Sequence, residues 1–554
     1  MKKAISLILV IFMLITSISS LSSCGLLEDL LDKDEKKEDS GFDEGTGTEE
    51  DPFIISNAKE LKNLAKKIND PDTYEEYTTK HYKLSKDIDL EGEEWTPICF
   101  VDSSNLFFQG VFDGDGHTIS NWKITDNTYR RTGLFGAVSG TVKNLKISRF
   151  EICFIDENNF SQKTIGGIVG ELGGNSTVLE NCSAEGQINV TSNSLLQVGG
   201  LVGRTYSYSE TVPSIIQNCH SNVAVTVDST MVNGTYEAIG IVCGVFAGSL
   251  GQSEITDCTA TASIQVTSRT NGSKVGIFAG GAMACRFKNC SAEGNVKMSR
   301  LDYDAEQGYR ASYGGGFLGD AENSIIESSF FNGKLDVTGI GNFYVGGLVG
   351  KMFNRYAAWT GCGIKNSYAM GSVNLEGNGV FDFYNENGAY VGGLIGLVDS
   401  MEISDSYAAN RITAFYTESE LNVGGLVGEA SEQATLKNSF SVGDITATCT
   451  ITNPEALKYS HSRLNIGTLL GNIENDPVIE NCYTVEGQSN LGVFNSIAQE
   501  FANYDFEKNL PSTTKDTLNA IYFYTDTLSW DKNVWNFSNL NAYSGKYPTL
   551  KVAN

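Results

Sequence analysis

The sequence predicts an all-β solenoid, a parallel β-helix with a capping helix at its N-terminal end and a cap at its C-terminal end. Three observations carry this. The line GGLVG stands at Gly199–Gly203, Gly346–Gly350 and Gly424–Gly428, with variants GGIVG, GGFLG and GGLIG at 166–170, 315–319 and 392–396. Looser copies are GLFGA at 133–137, IGIVCG at 239–244, VGIFAG at 275–280 and IGTLLG at 466–471. These copies lie roughly 32 to 46 residues apart, the period range of stacked supersecondary units. Second, an alternating apolar line trails each copy: VLENCSAEGQINV at 178–190, IKNSYAMGSVNL at 364–375 and LKNSFSVGDITAT at 436–448 are examples. Third, the 554 residues include 59 glycines and only 8 prolines. Proline would remove ladder donors from paired strands.

The chain begins with a targeting segment. Lys2 and Lys3 form a positive n-region, Ala4 to Ile18 an apolar h-region, and Leu21-Ser22-Ser23-Cys24 fits a bacterial lipobox. Residues 1–23 are therefore expected to be a signal peptide, with Cys24 as the lipidated residue. That places the mature chain in the cell envelope or at the cell surface, with Cys24 as its membrane anchor. Residues 24–50 are acidic, too polar to bury a core, and form a tether on the order of 28 Å long.

The folded body starts at residue 51. Asn57 and Glu60 have capping-box spacing, and Leu61, Leu64, Ala65 and Ile68 share one helical face. An open solenoid end needs such a cover. Residues 51–130 make this cap and the first coils, 131–499 the repeats, and 500–554 an aromatic C-terminal cap able to plug a coil. In the repeats, glycine pairs permit tight turns. Asn or Asp at 181, 218, 257, 289, 366, 405, 438 and 481 marks a bend where a polar ladder is expected. With two coils per repeat the body would be a rod on the order of 100 Å long.

These lines resemble the GLUG-motif repeat family of bacterial surface proteins. The resemblance rests on GGLVG and its variants, the trailing NC/NS-x-x-x-G line, and an entry segment running from DPFIISNAKELKNLA to VFDGDGHTISNWKI. It implies a right-handed β-helix on a secreted or surface-anchored protein. Similar repeats accompany immunoglobulin-A-cleaving zinc metallopeptidases, which need HExxH. None of His81, His117, His220 and His461 begins that pattern, so the protease activity does not carry over.

Other chemistry finds little support. The net charge of −27 argues against nucleic acid as a partner. Cys182, Cys219, Cys258, Cys290 and Cys482 share one repeat position with serines, as a buried column would, and no CxxC pair suggests zinc. No cofactor or metal site is expected. His117 and the Asp113/Asp115 pair read as turn residues, and a Cys219–His220 dyad is disfavoured because the thiol column looks packed. Paired carboxylates of a carbohydrate-active site would come from Asp302, Asp304, Glu306, Asp382 and Glu386, which read first as solvated loop acids.

Loops before the GG lines vary most and carry aromatics: Tyr303, Tyr309 and Tyr313; Phe343 and Tyr344; Phe381, Phe383, Tyr384 and Tyr390; Phe415 and Tyr416. In a solenoid such insertions gather on one face, often the binding face. The expectation is a non-catalytic, adhesin-like surface lipoprotein. Its partner would be a host or environmental glycan or protein, or another cell-surface component. A polysaccharide-degrading β-helix enzyme and a passive envelope spacer are the alternatives.

Overall fold

The computed structural model describes residues 40–100, 106–156, 162–174, 177–207, 212–229, 240–269, 272–301, 311–355, 360–379, 388–431, 433–453, 464–475, 477–496 and 510–551. The chain divides into Met1–Gly45 and Thr46–Asn554, and the architecture below is that of the second unit. The signal segment, Cys24 and most of the tether lie outside the described residues.

The second unit is a parallel β-helix of four sheets. One coil shows the plan: Lys163–Gly166 in sheet II, Val169–Gly173 in sheet III, Val178–Glu180 in sheet I and Ser183–Ser192 in sheet IV. The next coil repeats it one rung away with Leu196–Gly199, Val202–Tyr206, Ser214–Gln217 and His220–Ser229. All these pairings are parallel and in register, Gly166 against Gly199 and Val169 against Val202. Sheets I and IV gather 13 and 14 strands, and sheets II and III 10 each. Each repeat therefore makes one coil, not two. The repeat is long enough for four strands and four corners, so the 13 rungs of sheet I span about 60 Å rather than 100.

The glycines have a different job from the one expected. None of those in the GG lines lies in the left-handed region. What they lack is room. A Cβ on Gly200 would fall within 3.0 Å of the Val245 carbonyl oxygen, and one on Gly203 within 3.0 Å of the Gly170 oxygen. Sheets II and III meet at so tight a corner that backbone packs on backbone there. The third residue of the line turns inward instead. Leu201, Phe246, Phe278, Phe317, Leu348, Leu394 and Leu426 form a fully buried column, with Phe246, Phe278 and Phe317 stacked at 4.4 and 4.6 Å. Burying each such side chain stabilises by roughly 1.5–3 kcal/mol.

The Asn/Asp bend is where left-handed backbone occurs. Asn144, Asn181, Asn218, Asp257, Asn289, Ser328, Asn366, Asp405, Asn438 and Asn481 all have φ between 48 and 55°. Short amide or carboxylate side chains tolerate this region best. Several also form a ladder: Asn181 Nδ2 donates to Asn144 Oδ1 at 2.9 Å, Asn289 to Asp257 at 3.0 Å, and Asn481 to Asn438 at 2.9 Å.

At the N-terminal end, helix α1 (Ala58–Asn69) buries Leu61, Leu64, Ala65 and Ile68. The Glu60 amide donates to Asn57 Oδ1, and Glu60 Oε2 accepts from the Ser56 amide, one residue earlier than the standard box. The C-terminal residues 510–551 lie against the outside of the coils. Phe330, Tyr368, Tyr407 and Phe440, on the outer side of sheet IV, stack at 4.9, 5.1 and 5.3 Å. Trp530, Trp535 and Tyr547 pack over Tyr407, whose hydroxyl donates to Pro548 O at 2.7 Å.

Two alanine variants separate the effect of space from that of backbone angle. Gly203→Ala is expected to cost about 3 kcal/mol or more, because the obstruction is backbone. Gly116→Ala, at φ +83° with nothing within 4 Å of the new methyl, is expected to cost only about 1–2 kcal/mol. Urea denaturation midpoints read the difference, and equal costs would refute the steric account.

Candidate functional site

The GG corner shapes a groove on the outside of the coils. The residue two before the first glycine points outward from sheet II: Gln197, Val242, Lys274, Tyr313, Tyr344, Tyr390, Asn422 and Asn465 are consecutive register partners. The residue after the third glycine points outward from sheet III: Glu171, Arg204, Ser249, Gly281, Asp320, Lys351, Leu397 and Glu429. These side chains lie outside the core, yet Asp320 is only 4% exposed, Glu429 5% and Tyr390 6%. Outward side chains of sheet II reach those of sheet III, as in Arg131–Glu171, Lys274–Asp320 and Asn422–Glu429, so the corner is concave.

Polar contacts cross and climb this groove. Glu171 takes Arg131 at 3.2 Å and Arg204 at 3.4 Å. Lys274 pairs with Asp320, and Asn422 Nδ2 donates to Glu429 Oε2 at 3.4 Å. Lys351 sits 4.9 Å from the centre of the Tyr344 ring and has no carboxylate in ion-pair range among the described residues. Burial pushes the Lys351 ammonium below the ordinary lysine range, while Asp399, Asp320 and Glu429 pull it back up. A partly buried lysine without an ion-pair partner is a functional-site signal.

Where Val242, Ser249 and Gly281 stand in the columns, the groove deepens to a notch of about 580 Å³, walled by Arg204, Tyr206, Lys274 and Asp320. Asp320 Oδ1 and Arg204 Nε are buried here without a hydrogen-bond partner. The volume falls in the range of small-ligand sites.

The expected aromatic face is only partly assembled. Tyr313, Tyr344 and Tyr390 stack in the groove at 5.2 and 5.0 Å. Phe343 and Tyr416 point into the core, and the Tyr416 hydroxyl donates to Gly341 O at 2.8 Å. Phe415 is 46% exposed, but on sheet IV. Tyr303, Tyr309, Phe381, Phe383 and Tyr384 lie outside the described residues, as do Asp302, Asp304, Glu306, Asp382 and Glu386. The stacked rings cover one another's faces, so the column offers ring edges and hydroxyls. The groove residues Lys274, Asp320, Lys351 and Glu429 escaped the sequence reading. Their signal was present: Glu171, Arg204, Asp320, Lys351 and Glu429 each follow the third glycine of a repeat line.

The remaining candidates are structural. Cys219 points inward, with Sγ 3.2 Å from Gln217 O, while His220 points outward to Thr259 Oγ1, so the two form no dyad. His117 lies 3.3 Å from Asp87, and Asp113 and Asp115 pair with Lys143 and Lys83. In the thiol column each Cys182, Cys219, Cys258, Cys290 and Cys482 sulfur reaches the carbonyl two residues back. Ser329, Ser367, Ser406 and Ser439 make the same bond at 2.7–2.9 Å. That shared bond explains why the two residues interchange. Among the described residues no group of three or more His, Cys, Asp or Glu is placed to hold a metal ion.

Residues 161–191, one coil of this plan, match the family described as Glug, the GLUG motif. The chain carries the GLUG motif. The matched span runs through all four sheets of that coil, the II–III corner included. Halomucin of Haloquadratum walsbyi is 30% identical over 173 residues, 29% of this chain and 2% of that protein. A protein described as a "Putative Gly-rich membrane protein", from Evansella cellulosilytica, is 30% identical over 213 residues, 31% of this chain and 22% of that one. The chain therefore spans only a small part of these curated relatives. A solved structure described as a "putative immunoglobulin A1 protease", from Bacteroides ovatus, has 16% identity and a TM-score of 0.28, with 93% of this chain and 96% of that one covered. That likeness is too slight to carry fold or function.

The burial pattern sets thiol reactivity. Cys153 is exposed, whereas Cys285, Cys449 and Cys482 are buried and pushed up to about 12 by that burial. Alkylation of the native protein at pH 8 is expected to modify Cys153 and leave these three intact until denaturant is added. Peptide mass mapping reads the outcome, and native modification of Cys482 would contradict the packed column.

Proposed function

We propose that this chain is a lipid-anchored protein of the bacterial cell envelope that binds a ligand along its GLUG coils and catalyses nothing. The observation that carries the reading is the groove: polar and aromatic side chains recur at the same two positions of successive coils. A continuous strip suits an elongated ligand held by many modest contacts, which reinforce one another once one is made. The names of the relatives, a halomucin and a Gly-rich membrane protein, support a place at the cell surface. Cys24 supplies the lipid anchor, and the acidic residues after it hold the coils off the membrane. Among the described residues no helix is long and apolar enough to cross a membrane.

The aromatics Tyr303, Tyr309, Phe381, Phe383 and Tyr384 are assigned to the binding face because they precede Tyr313 and Tyr390 in sequence, whereas Phe415 and Tyr416, in a strand of sheet IV, are not part of it. The ligand is a host or environmental glycan or protein, or another component of the cell surface. Two measurements test the reading. In membrane fractionation Cys24→Ser should release the protein to the soluble phase. On an array of glycans and matrix proteins, the 24–554 body should bind a ligand and lose affinity when Tyr344 and Tyr390 are both changed to Ala. Turnover of any polysaccharide by the purified protein would overturn the non-catalytic part. Undiminished binding by the double variant would overturn the groove.

A further inference from the structure

The cations of the groove keep a regular interval. Arg131 pairs in register with Thr164, and Thr164 with Gln197, so Arg131 stands two coils before the coil of Arg204. Lys274 stands two coils after Arg204, and Lys351 two coils after Lys274. Two rungs amount to about 9.6 Å, comparable to the disaccharide repeat of a linear polysaccharide. The coils between them carry no groove cation; they present Thr164 with Glu171, Val242 with Ser249, and Tyr313 with Asp320.

We propose that this groove binds a linear polysaccharide that carries one acidic group per disaccharide, laid along the coil axis, with its acids met first by Lys351 and, in exchange for their contacts to Glu171 and Asp320, by Arg204 and Lys274. The proposal rests on the ligand-binding reading above and names its ligand class. Four features support it. Lys351 is partly buried and has no ion-pair partner among the described residues, so a ligand carboxylate would supply the partner that burial makes valuable. The notch beside Arg204 presents a buried acceptor, Asp320 Oδ1, and a buried donor, Arg204 Nε, neither with a partner. Sugar hydroxyls both donate and accept, so separate hydroxyls along a chain suit these two groups, which stand three coils apart. The tyrosine column offers phenol edges rather than free ring faces, which suits hydroxyl contacts over ring stacking. Finally, a chain of −27 net charge repels dense polyanions such as nucleic acid. A glycan with one charge per two sugars brings the least repulsion for each cation it meets.

The test is calorimetric titration of the 24–554 body with decasaccharides of alternating uronate and N-acetylhexosamine, and with the same chains after reduction of their carboxyls to alcohols. The acidic chain should bind, and carboxyl reduction should weaken binding about tenfold or more. Lys351→Met should produce a similar loss, and Lys351→Arg should restore most of the affinity. Ser249→Leu, which fills the notch from outside the core, should weaken both chains. Thermal midpoints of each variant guard against misfolding. Equal binding of the reduced chain, or full affinity in Lys351→Met, would overturn the acid preference while leaving ligand binding intact. If neither chain binds, the polysaccharide assignment falls, and the array decides separately whether another ligand takes the groove.

Discussion

Backbone meets backbone at the corner between sheets II and III, where the first and third glycines of the line leave no space for a Cβ. This constraint organises the molecule. Because the corner glycines admit nothing larger, the two short strands turn within a few residues, and the intervening Leu or Phe is driven into the core. The same tight turn brings the outer faces of the two sheets together. The groove is thus a by-product of the packing that closes the coil.

The other corners solve a different problem with different chemistry. At the Asn bend the chain needs left-handed backbone, and short polar side chains supply it while bonding to the coil next door. One residue further on, the thiol or hydroxyl of the Cys/Ser column satisfies a carbonyl that the bend leaves inside. The amides of Cys290, Ser329, Ser367 and Ser406 donate in turn to the hydroxyl one coil on. Each corner therefore links successive coils as well as turning the chain.

The period, the strands, the bend and the thiol column were legible because each repeats one residue type at one position, and identical columns leave identical marks in sequence. The number of strands per coil was not legible. A run such as VGGLVGRTY reads as one glycine-rich strand, although it folds as two strands with a corner between them. The reason for the glycines was hidden too, since sequence cannot distinguish a residue chosen for its φ from one chosen for its lack of volume. The aromatic face misled because Phe343 and Tyr416 follow strand alternation into the core, a matter of parity within the strand rather than of composition. The polar residue after each third glycine was visible but varied in charge, and only the concave geometry shows that Lys351 and Asp320 share a groove with Tyr344, which stands on the opposite wall.

If each repeat is one self-contained coil closed by its glycine corner, then coils can be removed only whole. Deletion of residues 241–272 takes out one coil's strands in all four sheets and lets Leu196 meet Ser273 in the register that Ile241 held. Deletion of 241–251 removes only the two corner strands. Circular dichroism during urea unfolding should show a cooperative transition for the whole-coil deletion and none for the partial one. Two equally cooperative proteins, or two equally unfolded ones, would contradict the one-repeat, one-coil account.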